Sequence, residues 1–308
     1  MPKLSSLSPT ALSRLLALAG KLGEVRGLKA QQPDAAFREW VHMENVRGAM
    51  ALDDCPLERE QVEAILKQEP VYVAAEVRAG CAFLADAFVR AESMDPYRYE
   101  SLEGLAPGLR KEQFVVRRGE RFSYVVPPAG QVEGLLKFFF GGLEGENAVL
   151  SSCRWVYEML LLAPFARWNA SMVCLWQSVF LCACDPVFSV LPVAALMHER
   201  EPELDNALEA GYLAGDAMPF VEWMLGVLAD AVDVLLEHHH GAPKAPKRLE
   251  LFRAGWRGGM FGRRDYVAFF KSISVPTASR DLAQGADAGL LRVYGNGRGT
   301  RYGFARRG

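Results

Sequence analysis

Apolar residues recur at the spacing of α-helices through most of the first 240 residues of this chain. Between residues 113 and 126, two β-rich runs instead flank Gly119, which predicts one β-hairpin. The fold is therefore expected to be mainly α, with a helical bundle that contains a single hairpin. The predicted helices are 11–25, 37–50, 58–67, 71–92, 129–139, 153–162, 171–184, 192–198, 201–214 and 218–237.

A change of composition near residue 240 indicates a domain boundary. Gly241, Pro243 and Pro246 follow the last apolar-periodic helix, together with the first basic residues of the C-terminal part. We predict a helical N-terminal region at 1–70, a helical domain at 71–240, a linker at 241–260 and a small domain at 261–308. The run His238–His240 does not predict a metal site, because consecutive helical residues point in different directions.

The two sides of this boundary carry opposite charge. From Lys244 onward there are fourteen Lys and Arg against four Asp and Glu, whereas the preceding residues carry 21 basic and 33 acidic groups. The net charges are therefore +10 and −12, although the whole chain has a formal charge of −2. A basic module joined to an acidic body is typical of a protein that binds nucleic acid.

The remaining composition is that of a soluble, cytoplasmic protein. Half of the residues are apolar and 23% are charged. The most apolar stretch, 172–197, is interrupted by Asp185, Pro186 and Pro192, which favours a buried helix over a membrane span. The six cysteines lie within apolar patterns and are expected to be reduced thiols rather than disulfides or zinc ligands.

The C-terminal segment has helix-turn-helix spacing. A helix at 265–271, a turn at 272–274 and a second helix starting at Val275 are followed by two strands around the Gly-rich loop 295–299. This pattern resembles the winged-helix modules of bacterial proteins and implies a small α+β domain that binds double-stranded DNA. The residues expected to contact DNA are Lys271, Thr277, Arg280, Gln284, Arg298 and Arg301.

Three stretches of the helical region occur in a recognisable order. Gly108–Val116 is followed after the hairpin by Pro127-Pro128, then by Ala163–Ser171, and then by Leu204–Trp223. Together they resemble the Fic family, whose members transfer AMP or related groups from nucleotides to protein hydroxyls. The resemblance implies a Fic-like bundle with a β-hairpin flap. The flap residues are Arg110, Phe114, Val115 and Val116.

The segment at 163–171 departs from the family's signature at the positions that carry chemistry. Ala163 stands at the position of the general base His, and Arg167 stands where an acidic residue holds Mg²⁺. The bulk of Trp168 and Ala170 replaces glycines of the phosphate cradle, and the motif arginines fall on Ser171 and Cys174. Pro164, Phe165 and Asn169 are retained. We therefore predict no catalytic residue, metal or cofactor.

The two resemblances together predict a DNA-binding transcriptional regulator with a catalytically inactive Fic-like body for dimerisation or ligand sensing. A homodimer is expected because two-fold proteins read two half-sites, and a small molecule or a protein is a possible ligand of the Fic-like cleft. One alternative is a nucleotidyl or phosphoryl transferase with a non-standard motif, which Mg²⁺-dependent nucleotide binding would reveal. The other is a protein–protein adaptor, which would lack salt-dependent affinity for DNA.

Overall fold

The computed structural model divides the chain into two compact units, Met1–Leu235 and Leu236–Gly308. The predicted mainly α architecture, with one β-hairpin in the described part of the first unit, is confirmed. The structure describes residues 7–28, 32–105, 107–119, 122–143, 147–239, 248–249, 252–253, 256, 258–270, 273, 275–295 and 300–305.

Most helices of the first unit lie where apolar periodicity predicted them, but the helix Tyr99–Glu103 was not predicted, Ala148–Leu162 begins earlier than expected and Ala75–Arg90 begins later. Short 3₁₀ turns at Ala91–Ser93, Ala129–Gln131 and Pro186–Val190 lie between them. The helices are α1 (Pro9–Gly27), α2 (Ala35–Ala51), α3 (Arg59–Leu66), α4 (Ala75–Arg90), α5 (Tyr99–Glu103), α6 (Val132–Gly141), α7 (Ala148–Leu162), α8 (Asn169–Cys184), α9 (Val193–Glu199), α10 (Glu201–Ala214) and α11 (Met218–His239).

Helices α7 and α8 form the centre of the first unit. Both are apolar around nearly their whole circumference and are buried along most of their length, as expected for central helices. The Trp155 ring lies 6.3 Å from the Trp176 ring and 6.1 Å from the Phe180 ring, measured between centroids. Among the described residues, no helix is long and apolar enough to cross a membrane.

The predicted hairpin consists of β1 (Val115–Arg118) and β2 (Phe122–Val125), which pair in antiparallel register from Val115 opposite Val125 to Arg118 opposite Phe122. Gly119 follows β1 with a φ of +58°, a left-handed conformation that glycine adopts without strain. Phe122 and Tyr124 are buried, whereas the alternate residues of β2 are exposed. One face of the hairpin therefore packs against the helical core, and the other face is exposed.

In the described part of the second unit, helical residues at 248–249 and 252–253 precede two helices and a hairpin. These elements are α12 (Arg263–Phe270), α13 (Val275–Asp287), β3 (Leu291–Tyr294) and β4 (Arg301–Phe304), and Phe261 adds an antiparallel bridge to Tyr302. Leu249 and Phe252 lie in the core of this unit, although the segment 241–260 was predicted to be a linker. The unit therefore extends upstream of residue 261, because its aromatic core requires these side chains.

A buried ion pair lies inside this small core. The Arg248 guanidinium donates two hydrogen bonds to the Asp281 carboxylate, which also accepts a bond of 3.2 Å from the Tyr266 hydroxyl. Asp281 is only 2% exposed, and its hydrogen bonds to Arg248 and its negative charge raise the pKa of Arg248. The pair therefore fixes α13 to the segment that precedes α12.

We expect Asp281→Asn to lower the free energy of opening α13 by about 3–5 kcal/mol, because it leaves a buried guanidinium without its counter-charge. Hydrogen exchange of the α13 amides measures this quantity. Asp287→Asn, an exposed carboxylate on the same helix, should change it by less than about 0.5 kcal/mol. Equal protection of α13 in the two variants would contradict a stabilising contribution from the pair.

Candidate functional site

The loop that joins α7 to α8, residues 163–168, has left-handed backbone at both ends. Ala163 follows α7 with a φ of +41°, and Trp168 precedes α8 with a φ of +59°. Such conformations are uncommon for residues with a side chain and persist where the surrounding contacts impose them. Two sets of contacts, one at each end of this segment, supply that constraint.

The side chain of Asn169 forms two hydrogen bonds with the backbone of the loop. Its Oδ1 accepts a hydrogen bond of 2.9 Å from the Phe165 amide, and its Nδ2 donates one of 2.9 Å to the Phe165 carbonyl. The Phe165 ring is buried in the core. The residues at 164, 165 and 169 that match the Fic signature therefore shape the loop and anchor it.

The segment that leads into the hairpin pairs with the same loop. The Arg110 amide donates to the Pro164 carbonyl at 3.0 Å, and the Ala166 amide donates to the Gly108 carbonyl at 2.9 Å. The structure thus brings together two stretches that the sequence analysis singled out, 108–110 and 163–166. They form one continuous surface at the end of α7.

Arg110, predicted as a flap residue, is a buried anchor. Its guanidinium donates hydrogen bonds to the carbonyls of Ala163 (2.8 Å), Glu112 (2.7 Å) and Pro127 (2.6 Å). The side chain also lies over the Phe114 ring, and the residue is only 6% exposed. Because these bonds occupy its donors, Arg110 holds the base of the hairpin to the end of α7 and does not present a free charge.

The other predicted flap residues lie on or beside β1. Phe114 and Val115 are exposed, and Val116 is half-buried. The side of the hairpin opposite the core therefore presents apolar surface. None of these three residues carries a titratable group.

The N-terminus of α8 is occupied by a carboxylate from the turn after α2. The Ala170 amide donates to Asp53 Oδ1 at 2.9 Å, and the Ser171 amide donates to Asp53 Oδ2 at 2.7 Å. These are unpaired first-turn N–H groups of a helix, which bind anions such as phosphate or carboxylate. In this chain the anion is supplied internally.

Burial raises the pKa of Asp53, and hydrogen bonds from Ser171 and Ala170 together with the positive charge of Arg118 act in the opposite direction. The Ser171 hydroxyl donates to the Ala49 carbonyl at 3.0 Å, so its hydrogen is directed at α2. The sequence resemblance places Ser171 at a position where the Fic signature has an arginine. In the structure its hydroxyl binds α2.

The remaining predicted motif positions carry a methyl group, a buried thiol and a paired guanidinium. Ala163 carries a methyl group, and burial raises the pKa of the Cys174 thiol, which keeps it protonated. The Arg167 guanidinium forms an exposed ion pair with Glu76 of α4. No group of three or more His, Cys, Asp or Glu side chains in the described part of the chain is arranged to hold a metal ion.

Four of the six residues predicted to contact DNA are described, and all four lie at least partly on the surface of the second unit. Arg280 and Gln284 are exposed on α13, and Thr277 is half-buried. Arg301 on β4 is exposed and pairs with Asp265 at 3.3 Å. Lys271 and Arg298 lie outside the described residues.

We expect Asp53→Asn to destabilise the first unit by about 1–3 kcal/mol, because the amide turns an N–H donor toward one of two buried backbone donors. Denaturant unfolding of the full chain followed by tryptophan fluorescence measures the change. Asp54→Asn is the matched control, since Asp54 is exposed and its φ of +58° suits asparagine. If Asp54→Asn destabilised the protein as much as Asp53→Asn does, the contact at α8 would not be the cause.

Among known proteins, the matches found are solved structures. No family model matches the chain, and no curated protein matches it. A solved structure of a Fic family protein from Desulfovibrio desulfuricans G20 is 21% identical, with a TM-score of 0.73, and the match covers 100% of this chain and 99% of that one.

Two further solved structures match the chain over a smaller part of its length. A Fic domain containing signaling protein from Bacteroides thetaiotaomicron VPI-5482 is 9% identical, with a TM-score of 0.57, and the match covers 73% of this chain and 97% of that one. Fic-1 from C. elegans is 15% identical, with a TM-score of 0.52 over 73% of this chain and 74% of that one. The fold implied by the sequence resemblance is thus confirmed: the chain has the fold of Fic proteins.

Proposed function

We propose that the chain is a DNA-binding transcriptional regulator, in which the second unit is a winged helix and the first unit is a Fic-fold body without transferase chemistry. We base this chiefly on the exposed basic surface that the second unit presents on α13 and its hairpin. The arrangement of charge and core on these elements supports contact with the phosphates and bases of double-stranded DNA.

The order of elements in the second unit is compatible with a winged helix-turn-helix. Helix α12 ends at Phe270 and α13 begins at Val275, a connection of the length used between the two helices of that motif. The strands β3 and β4 then form an antiparallel hairpin, and Phe261, which precedes α12, forms a bridge to Tyr302 of β4. In winged-helix proteins the second helix enters the major groove and the hairpin lies beside the backbone.

Helix α13 has one buried face and one exposed face. Ala278, Leu282 and Gly285 are buried, at the i, i+4 and i+7 spacing of a core-facing stripe. Arg280 and Gln284 lie on the exposed face, at the i and i+4 spacing that points two side chains in one direction. Arginine and glutamine recognise base edges in the major groove through bidentate hydrogen bonds.

The surrounding surface is strongly basic. Arg263 and Arg264 of α12, Arg292 of β3 and Arg301 of β4 are exposed. The segment from residue 244 carries a net charge of +10, so its long-range field attracts polyanions. An adaptor that binds only proteins has no need of such an excess of positive charge, although this charge would also attract an acidic protein.

Three features of the first unit support the loss of transferase activity. Ala163 has no group that can remove a proton from a target hydroxyl. Arg167, at the position of the acidic metal ligand, repels Mg²⁺. The Asp53 carboxylate binds the α8 amides at which a nucleotide phosphate would bind. A body of this kind can dimerise the protein or bind a ligand, and a homodimer presents two DNA-binding units to two half-sites.

We expect the full chain to bind a mixed-sequence DNA duplex of about 30 base pairs with an affinity that falls steeply as salt rises. Arg280→Ala combined with Arg301→Ala should weaken binding about 10- to 100-fold and flatten the salt dependence. Fluorescence anisotropy of a labelled duplex measures both quantities. Arg59→Ala removes one exposed arginine of the first unit and should leave affinity within about twofold. Equal affinities for all three proteins would contradict DNA binding through this surface.

We expect Mg²⁺ with ATP at about 1 mM to leave the thermal unfolding of the first unit unchanged, because Asp53 occupies the α8 amides and Arg167 repels the metal. A ligand that did bind, at a hundred times its Kd, would add about 2.7 kcal/mol of stability. Differential scanning calorimetry with and without a chelator separates metal-dependent binding from other effects. Stabilisation by ATP that requires Mg²⁺ would favour the transferase alternative.

A further inference from the structure

The first unit contains an apolar cavity beside the loop between α7 and α8. Its volume is about 390 Å³, which falls within the range of roughly 300–1,000 Å³ found for small-molecule pockets. Phe83 and Leu84 of α4, Met50 of α2 and Met172 of α8 form much of its wall. All of its lining residues belong to the first unit. Binding of a small molecule to the cavity can therefore be measured on the protein alone, without DNA.

The indole of Trp168 forms a rigid aromatic side of this cavity. It lies directly on the backbone of α4 at Gly80, where an added Cβ atom would be 2.9 Å from the indole ring. A larger residue at 80 would therefore push Trp168 from its position. The ring of Phe83, which is partly exposed, is a second aromatic group in the wall.

Two opposite charges line the same cavity. Glu76 of α4 and Arg167 of the loop form an ion pair there, and their side chains are 62% and 56% exposed. A pair this exposed is weak, because water and salt screen it. The carboxylate and the guanidinium are therefore available to the two charged groups of a ligand that separates them.

We propose that this cavity binds a zwitterionic α-amino acid with a large apolar side chain. The ligand's ammonium group pairs with Glu76, its carboxylate pairs with Arg167, and its side chain enters the cavity beside Phe83 and Trp168. Arginine matches a carboxylate with two parallel hydrogen bonds, which gives the ligand a defined orientation.

The charges around Glu76 favour an ammonium group on that side. Burial raises the pKa of the Cys55 thiol, and the negative charges of Asp53, Asp54 and Glu76 raise it further. Asp53 is bound to the amides of α8, whereas Asp54 is exposed. Within the cavity itself, the Glu76 carboxylate attracts the cationic end of a ligand and the Arg167 guanidinium attracts its carboxylate.

The chemistry of the site predicts a definite order of affinities. L-Phenylalanine should bind the full chain saturably in isothermal titration calorimetry. 3-Phenylpropanoate, which lacks the ammonium group, 2-phenylethylamine, which lacks the carboxylate, and L-alanine, which lacks the apolar group, should each bind at least about tenfold more weakly.

Variants of the two charged residues assign each half of the ligand. Glu76→Gln should weaken L-phenylalanine about tenfold or more and leave 3-phenylpropanoate unchanged. Arg167→Gln should weaken L-phenylalanine by a similar factor and leave 2-phenylethylamine unchanged. Both residues are exposed, so neither substitution removes a core contact.

A change of cavity shape gives an independent test. Ala79→Phe places a ring in the cavity and should abolish binding of L-phenylalanine. Ala82→Phe is the control: it adds the same ring at an exposed position of α4 that does not line the cavity, and should leave this binding unchanged. The absence of saturable binding by the unaltered protein up to about 10 mM ligand would overturn the proposal. Binding of 3-phenylpropanoate as tight as that of L-phenylalanine, or undiminished binding by Ala79→Phe, would also overturn it.

Discussion

The guanidinium of Arg110 is the contact on which the geometry of the central loop depends. It binds carbonyls on either side of the hairpin, at Glu112 and Pro127, and the carbonyl of Ala163 beyond α7. The last carbonyls of a helix have no partners within it and attract positive charge. One buried cation therefore satisfies several carbonyls and joins segments that are far apart in the sequence. Without it, the backbone hydrogen bonds of Gly108 and Arg110 to the loop between α7 and α8 would lack support.

Asp53 provides the complementary contact at the other end of the loop. A cation lies at the C-terminus of α7 and a carboxylate lies at the N-terminus of α8, so each helix end meets the charge that its dipole favours. Both charged groups belong to the chain itself. The Fic fold thus keeps the shape of its central loop through two charged contacts that lie within the chain.

Much of the fold could be predicted from the sequence because apolar periodicity reports which helical face is buried. The predicted start of α4 was too early, since the Arg78 guanidinium donates to the Val71 carbonyl at 2.7 Å and the helix begins only at Ala75. Helix α5, Tyr99–Glu103, is too short to show a period. The segment 241–260 has the composition of a linker, yet Leu249 and Phe252 of that segment fill the core of the second unit.

Less of the site could be predicted, because its contacts join residues distant in the chain. The motif at 163–171 and the flap residue Arg110 were visible as a resemblance, but the bonds of Arg110 to carbonyls were not. Asp53 lies in a turn with no motif, and it meets Ala170 across 117 positions of sequence. Its use as an internal anion became evident only from the arrangement of α2 against α8.

The most direct test of the central claim is recovery of bound fragments from mixed genomic DNA. The intact protein and the Arg280→Ala, Arg301→Ala double variant would be incubated with the fragments at low and moderate salt, and the bound DNA would be sequenced. A regulator with a winged helix should enrich a defined site, palindromic if the protein is a dimer, and the double variant should lose that enrichment. Weak binding that is insensitive to both substitutions, without enrichment of any sequence, would contradict the account.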